Sequence, residues 1–157
     1  MELKLQEYLL EEAEKDSSPE AKAARRRILI KAAYGEFMCS LFFYTCVFGF
    51  HASASQNEWS EPLVDLGNAL VSGFQAIACI FAFSNISGSQ FNSATSIALW
   101  VTGKLSNRRA FLYVCVQLFA SYMAMVLVTC MFSGDLTEVM IGNLVLNDNA
   151  LTNELIN

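Results

Sequence analysis

Long apolar runs separated by polar segments dominate this chain. Apolar residues prevail over three stretches, at about 28–50, 63–84 and 110–132. Each stretch is close to the roughly 20 residues that an α-helix needs to cross a bilayer core of about 30 Å. The pattern therefore predicts three membrane-spanning helices, with a polar link at 51–61 between the first two and a longer connection before the third.

The connection between the second and third spans contains a polar turn and one more apolar stretch. The turn, residues 86–95, reads Ile-Ser-Gly-Ser-Gln-Phe-Asn-Ser-Ala-Thr. The apolar stretch from Asn92 to Gly103 makes a helix of about 17 Å, which is half a bilayer. Non-helical backbone survives at membrane depth only where it is buried in protein or lines a water-filled cavity. We therefore expect a re-entrant half-helix that borders a pore.

Composition and charge distribution agree with this pattern and orient it. With 54% hydrophobic and 16% charged residues, the chain is too apolar for an ordinary soluble domain. All ten basic residues fall in two places, at positions 4–31 around the start of the first span and at positions 104–109 between the half-helix and the third span. Because cytoplasmic loops carry the excess of Lys and Arg, these segments should face the cytoplasm. The N-terminus is then cytoplasmic and the C-terminus extracytoplasmic.

The polar residues inside the apolar regions are the candidates for function. Glu36 lies within the first span, where a carboxylate is rare enough to be interpreted as functional. Asn92 can cap the half-helix with its side-chain oxygen and still offer its amide N–H to a solute. A plain helix cap is the alternative for Asn92, a proton relay is the alternative for Glu36, and a polar interhelical contact is the alternative for Gln117.

Enzymatic chemistry has no support among these residues. There is no nucleotide-binding glycine pattern and no catalytic constellation. The five cysteines all fall within the spans, where a free cysteine packs as a small apolar residue. We therefore expect no enzyme, no metal site and no cofactor, and no nucleic-acid partner.

The order of these features resembles the first half of an aquaporin, a member of the major intrinsic protein family. The resemblance runs from about residue 33 to 132. It includes Glu36 in the first span, Ser87-Gly88-x-x-x-Asn92-x-Ala94 at the turn, the half-helix, a basic loop, and Gln117 in the third span. The family reads Ser-Gly-x-x-x-Asn-Pro-Ala, so Ser93 replaces its proline. Proline presets the dihedral angle at a first helical position, and we expect the half-helix to form less rigidly with serine.

The resemblance implies roles for particular residues. Asn92, Ser93 and Ala94 would line the pore, together with Ser72 at the family's outer filter position in the second span. Four other residues would support the loop, with Glu36 accepting hydrogen bonds from the loop backbone; they are Glu36, Gln117, Ser87 and Gly88.

The resemblance also implies a fold, a function and partners. The fold would be an all-α membrane protein with three transmembrane helices and one re-entrant half-helix. Residues 1–27 would form a cytoplasmic tail in which Ser18-Pro19 starts a helix, 28–132 the half-channel repeat, and 133–157 a polar extracytoplasmic tail. The function would be passive transport of water or small uncharged solutes across a lipid bilayer. A homo- or hetero-oligomer with aquaporin-like chains, tetrameric by resemblance, would be the assembly.

A second interpretation follows from the region after residue 132. Its one apolar run, 139–146, is too short to span a bilayer, whereas the family continues there into a second repeat. A pore built from two inverted repeats is not closed by one of them. The alternative function is therefore a non-conducting, truncated relative that associates with or regulates full-length channels.

Overall fold

Four α-helices make up the part of the chain that the structure describes. The structure is a computed structural model, and it describes Tyr8 and residues 18–132. The helices are α1 (Pro19–Gln56), α2 (Glu61–Phe83), α3 (Ser93–Val101) and α4 (Asn107–Met131). Three of them, α1, α2 and α4, are long and apolar enough to cross a membrane. The all-α membrane fold is confirmed, and α3, with nine residues, occupies the position of the predicted half-helix. The predicted tail at 133–157 lies outside the described residues.

The first helix extends well beyond its apolar run. It begins at Pro19, where the hydroxyl of Ser18 accepts a hydrogen bond from Ala21 N at 3.2 Å, and it continues to Gln56. The predicted boundary at residue 27 therefore falls inside a continuous helix. The predicted polar link at 51–61 is also mostly helical, because Ala52 is buried against α4 and this packing holds the extra turn. The other two spans end within three residues of their predicted bounds.

The long helix α1 lies at the centre of the fold. It packs along α4 and also against α2, while α3 packs against α4. Small side chains bring α1 and α4 close together, since Ala32, Ala120 and Ala124 are almost completely buried. Close approach also joins α1 to α2, where Gly67 faces the ring of Phe50.

The interior contains many polar side chains and the surface is largely apolar, as expected for a bundle surrounded by lipid. The buried polar or charged residues are Glu36, Ser40, Ser87, Ser89, Gln90, Ser96, Arg109 and Gln117. In contrast, α2 exposes a row of large apolar side chains, which comprises Leu63, Leu66, Leu70, Phe74, Ile77 and Phe81. Lipid tails can cover such a row without cost, whereas each buried polar group needs a hydrogen-bond partner. The candidate site is therefore inside the bundle.

The charges separate to the two ends of the bundle. Ala32, in the first half of α1, packs with Leu105 and Ala110 near the start of α4, so the N-terminal parts of both helices lie towards the same end. Of the ten basic residues, Lys4 and Lys15 lie outside the described residues and the other eight gather at this end. We call it the basic end. The opposite end carries Glu58, Glu61 and Asp65.

Candidate functional site

The turn that precedes α3 has an unusual backbone. Left-handed φ angles occur at Gly88 (97°), Ser89 (51°) and Phe91 (36°). Glycine adopts such angles without a steric penalty, but a bulky residue such as phenylalanine does so only when its surroundings hold it there. The turn, residues 84–92, must therefore be stabilised by contacts from the neighbouring helices. We call this segment the pore loop, after the pore that the sequence predicts beside it.

Glu36 of α1 supplies the main contacts to the pore loop. Its Oε1 accepts hydrogen bonds from Ser87 Oγ at 2.7 Å and from Gln90 N at 2.9 Å. Its Oε2 accepts from Phe91 N at 2.8 Å and from Gln117 Nε2 at 2.9 Å. An ionised carboxylate has about four lone-pair sites, so this fully buried side chain uses all of them. Ser89 and Phe91, which have left-handed φ angles, lie on either side of Gln90. The carboxylate holds this part of the turn by accepting hydrogen bonds from the consecutive N–H groups of Gln90 and Phe91.

Gln117 connects the same carboxylate to the half-helix. Its Nε2 lies 2.9 Å from Glu36 Oε2 and also 2.9 Å from Ser96 Oγ. The Ser96 hydroxyl is in turn 3.2 Å from Gln117 Oε1. Both Gln117 and Ser96 are buried. One side chain of α4 therefore joins α1 to α3, and Glu36 connects it to the pore loop.

A second chain of hydrogen bonds holds the pore loop from α4. Arg109 Nη2 donates to Tyr113 Oη at 2.7 Å, and Tyr113 Oη donates to the carbonyl oxygen of Ser87 at 2.7 Å. The guanidinium of Arg109 also lies 5.4 Å from the centre of the Tyr113 ring. Both side chains are fully buried. Ser87 is therefore held at its hydroxyl by Glu36 and at its carbonyl by Tyr113.

The side of the pore loop that faces α2 is held by Ser89. Its hydroxyl donates to the carbonyl oxygen of Cys79 at 2.9 Å and lies 3.2 Å from Cys39 Sγ. Cys79 Sγ contacts the carbonyl oxygen of Cys39 at 3.5 Å. These contacts join α1, α2 and the pore loop at one point.

Asn92 begins the half-helix that the pore loop presents. Its Oδ1 accepts a hydrogen bond from Ala94 N at 2.8 Å, which caps α3. Asn92 and Ala94 are exposed and Ser93 is half-buried. Because Oδ1 is used by the cap, the amide nitrogen of Asn92 is the group that can donate to a solute. The arrangement places a hydrogen-bond donor beside the positive end of the α3 dipole.

The structure brings most of the predicted site residues together and leaves one apart. Glu36, Gln117 and Ser87 are linked directly by hydrogen bonds, and Gly88 lies in the same turn. The three predicted pore-lining residues at 92–94 follow at the start of α3. Ser72, in contrast, lies in the middle of α2, where its hydroxyl donates to Asn68 Oδ1 at 3.3 Å. Its described contact is within its own helix.

Four residues of the hydrogen-bond network around the pore loop and the half-helix were not singled out from the sequence. They are Ser89, Ser96, Arg109 and Tyr113. The pair Arg109 and Tyr113 carries a weak signal, because residues four apart face the same side of a helix. Ser96 also carries one, since it is four residues after Asn92 in an apolar helix. Their partners are distant in the sequence, so neither signal identifies the contact.

The chain shows clear similarity to known proteins. The family model described as Major intrinsic protein matches residues 23–156. Aquaporin-B of Dictyostelium discoideum is 32% identical over 126 residues, which cover 80% of this chain and 42% of that relative. Aquaporin TIP4-1 of Zea mays is 30% identical over 140 residues, which cover 87% and 52%. The chain thus spans about half the length of the curated relatives it matches. No solved structure gives a significant match.

Proposed function

Because the chain belongs to the major intrinsic protein family, we propose that its helices form part of the wall of a channel for passive transport of water or small uncharged solutes. The observation that carries this proposal is the position of the α3 N-terminus. Nine residues of helix measure about 14 Å, roughly half of a bilayer core of about 30 Å. The C-terminal end of α3 points towards the basic end, which would lie at one membrane surface. Its N-terminal end would therefore lie near the middle of the membrane.

A helix that starts inside the membrane has a defined electrostatic effect. Its first N–H groups have no intrahelical partners, and its dipole is positive at this end. Such an end disfavours cations, including hydrated protons, in a narrow passage beside it. The amide nitrogen of Asn92 adds a donor that would hold the oxygen of a passing water or alcohol. The chemistry therefore suits neutral hydroxyl-bearing solutes.

The hydrogen-bond network around the pore loop supports a positioning role for Glu36. All four of its contacts are with donor groups, and these occupy the sites through which a carboxylate would accept a proton. This favours a structural carboxylate over a proton relay. Gln117, Ser87 and the left-handed turn at Gly88 would serve the same purpose, which is to hold Asn92 at a fixed place.

We extend the proposal to orientation, with the basic end in the cytoplasm. The eight basic residues of this end contrast with the acidic opposite end, and the positive-inside rule favours that arrangement. Single cysteines introduced as Lys104→Cys and Glu58→Cys, in a chain without its native exposed cysteines, test it in intact cells. A membrane-impermeant thiol reagent applied from outside should label the Glu58→Cys chain alone. Labelling of Lys104→Cys alone would reverse the orientation.

The experiment for the channel proposal distinguishes two functions of Asn92. Its side-chain oxygen caps α3, and its side-chain amide nitrogen would donate to a solute. Asn92→Asp keeps an oxygen that accepts from Ala94 N, whereas Asn92→Ala removes both the cap and the donor. Osmotic swelling is measured in cells that express these helices completed by a second repeat, at matched membrane abundance. Swelling should rise with the native chain and fall for both variants, while thermal stability falls for Asn92→Ala alone. Unchanged swelling of the Asn92→Asp chain would contradict the role of the amide.

The alternative function is association with full-length relatives without conduction. The exposed apolar row of α2 favours it, because this surface suits helices of a second chain as well as lipid. Here the chain alone would not raise swelling, but it would change the swelling caused by a co-expressed aquaporin and would co-purify with it. A chain that runs as a monomer in mild detergent and leaves the co-expressed channel unaffected would exclude this alternative.

A further inference from the structure

An apolar cleft lies between α3 and α4. Its volume is about 260 Å³. The residues that line it are Ile97, Trp100, Asn107, Ala110, Phe111 and Val114. Neither the pore loop nor its hydrogen-bond network contributes to this lining. The cleft is therefore separate from the candidate functional site.

The cleft is open, and three of its large apolar residues are exposed. Trp100 and Ile97 are each 45% exposed, and Phe111 is 75% exposed. The one polar pair in the lining is already satisfied, because Trp100 Nε1 donates to Asn107 Oδ1 at 2.7 Å. The other four lining residues, Ile97, Ala110, Phe111 and Val114, are apolar. An open cleft of this composition at the edge of a bilayer favours a hydrocarbon chain over a polar solute.

The charge beside the cleft selects the kind of lipid. Lys104 lies in the connection between Trp100 and Asn107, and Arg108 follows Asn107 directly; both are exposed. They belong to the basic end, where eight basic residues face a single described acidic residue, Glu20. Clusters of Lys and Arg at the membrane surface attract anionic headgroups, and basic pockets between transmembrane helices bind them.

We propose that this cleft is a binding site for an anionic phospholipid, with one acyl chain against Trp100 and the headgroup phosphate against Lys104 and Arg108. Hydrocarbon burial between α3 and α4 retains the chain, and the two cations distinguish an anionic headgroup from a zwitterionic one. Phosphatidylcholine would place a quaternary ammonium near the same cations, which is unfavourable. The site lies at the end of α3 opposite to Asn92, so its occupation does not depend on conduction.

The fluorescence of Trp100 provides the measurement. The chain has two tryptophans, and Trp59 lies at the opposite end, so Trp59→Phe leaves Trp100 as the single reporter. Bromine atoms on acyl chains quench tryptophan fluorescence on contact. The purified full chain is reconstituted in phosphatidylcholine vesicles that contain a small fraction of brominated phosphatidylglycerol or the same fraction of brominated phosphatidylcholine. Brominated phosphatidylglycerol should quench Trp100 more strongly.

Two variants test the assignment within the same assay. Lys104→Gln should lower the preference for phosphatidylglycerol about fivefold, the effect expected for one basic residue near the surface. Lys22→Gln removes an exposed cation of the same end that is far from the cleft in sequence, and it should leave the preference unchanged. A Trp100→Phe chain that retains Trp59 should show no dependence on headgroup. Circular dichroism confirms that each variant keeps its helices.

The other outcomes overturn the proposal. Equal quenching by the two brominated lipids would mean that the cleft meets bulk lipid without selection. Absence of quenching by either lipid would mean that protein covers the cleft, either a segment of this chain or a second copy. Equal loss of preference in Lys104→Gln and Lys22→Gln would assign the effect to the overall charge of the basic end. Osmotic swelling plays no part in the assay, so its result is independent of the channel proposal.

Discussion

Glu36 of α1 and Gln117 of α4 are joined by a 2.9 Å hydrogen bond from Gln117 Nε2 to Glu36 Oε2 across 81 positions of the chain. The bond connects the carboxylate that holds the pore loop to the amide that holds Ser96 of the half-helix. Through these two side chains, the position of Asn92 depends on the packing of α1 against α4. The strength of that dependence can be measured.

Substitution of Glu36 should loosen the pore loop. Glu36→Gln replaces one acceptor oxygen with an amide group that donates, so about half of the four contacts are lost. Since buried N–H groups are left without partners, we expect a loss of stability of about 2 kcal/mol or more. Thermal unfolding in detergent measures this loss. Glu58→Gln, at an exposed position of the opposite end, is the control and should change stability little. A similar effect of both variants would contradict the role given to Glu36.

The two buried glutamines should respond in opposite directions to the same change. The side-chain oxygen and nitrogen of Gln90 are buried, and neither makes a hydrogen bond among the described residues. Gln90→Leu removes this unsatisfied amide and should raise stability by about 1 kcal/mol. Gln117→Leu removes the bonds to Glu36 and Ser96 and should lower stability. Chemical denaturation of the two variants side by side measures both effects. Destabilisation by Gln90→Leu would show that the amide binds water or another group.

The hydroxyl of Tyr113 should matter more than its ring. Tyr113→Phe keeps the packing but removes the donor to Ser87 O and the acceptor for Arg109. We expect a loss of about 1 to 3 kcal/mol, because two buried partners each lose a hydrogen bond. Hydrogen exchange of the amides at 88–91 should also accelerate. Tyr122→Phe, where the ring is 57% exposed, is the matched control. Unchanged exchange in the Tyr113→Phe chain would remove Tyr113 from the support of the loop.

Replacement of Gly35 and of Gly73 by alanine should have opposite effects on stability. A Cβ at Gly35 would lie 2.8 Å from Ile86 Cγ2 and 3.1 Å from Ser87 Cβ, and Ser87 is held by Glu36. Gly35→Ala should therefore displace the pore loop and lower stability by about 1 to 3 kcal/mol. A Cβ at Gly73 in α2 meets no atom within 4 Å. Gly73→Ala should raise stability by about 0.5 to 1 kcal/mol through the higher helix propensity of alanine. Equal melting temperatures for the two variants would contradict the close approach of Gly35 to Ile86 and Ser87.

Proline at position 93 should stabilise the half-helix. Asn92 has φ −138° and ψ 124°, which is the extended conformation that a residue before proline prefers. Ser93 is the first residue of α3, so the N–H that proline lacks is not used within the helix. We expect Ser93→Pro to raise stability by about 0.4 to 1 kcal/mol. Ala94→Pro is the control, because it removes the donor to Asn92 Oδ1 and should be destabilising. Slower exchange of the α3 amides in the Ser93→Pro chain checks the local effect.

The sequence by itself determined the number of spans, their approximate bounds and the presence of a half-helix. These features depend on the lengths of apolar runs and on the thickness of a bilayer, and both are legible without any long-range contact. Family membership was also legible, because it depends on a short local pattern at the turn that begins with Ser87 and Gly88. Glu36 stood out for a similar reason, since a carboxylate within an apolar run needs an explanation.

Only the tertiary structure decided which side chains meet. Ser96, Arg109 and Tyr113 gain their roles from partners on other elements, and packing alone brings those partners to hydrogen-bond distance. The length of α1 was decided in the same way, because Ala52 remains helical through its burial against α4 rather than through its own hydrophobicity. The filter role of Ser72 stays a prediction, since the described hydrogen bond of its hydroxyl is to Asn68 of the same helix. Span lengths follow from local composition, whereas a hydrogen bond between residues 81 positions apart exists only after the helices have packed.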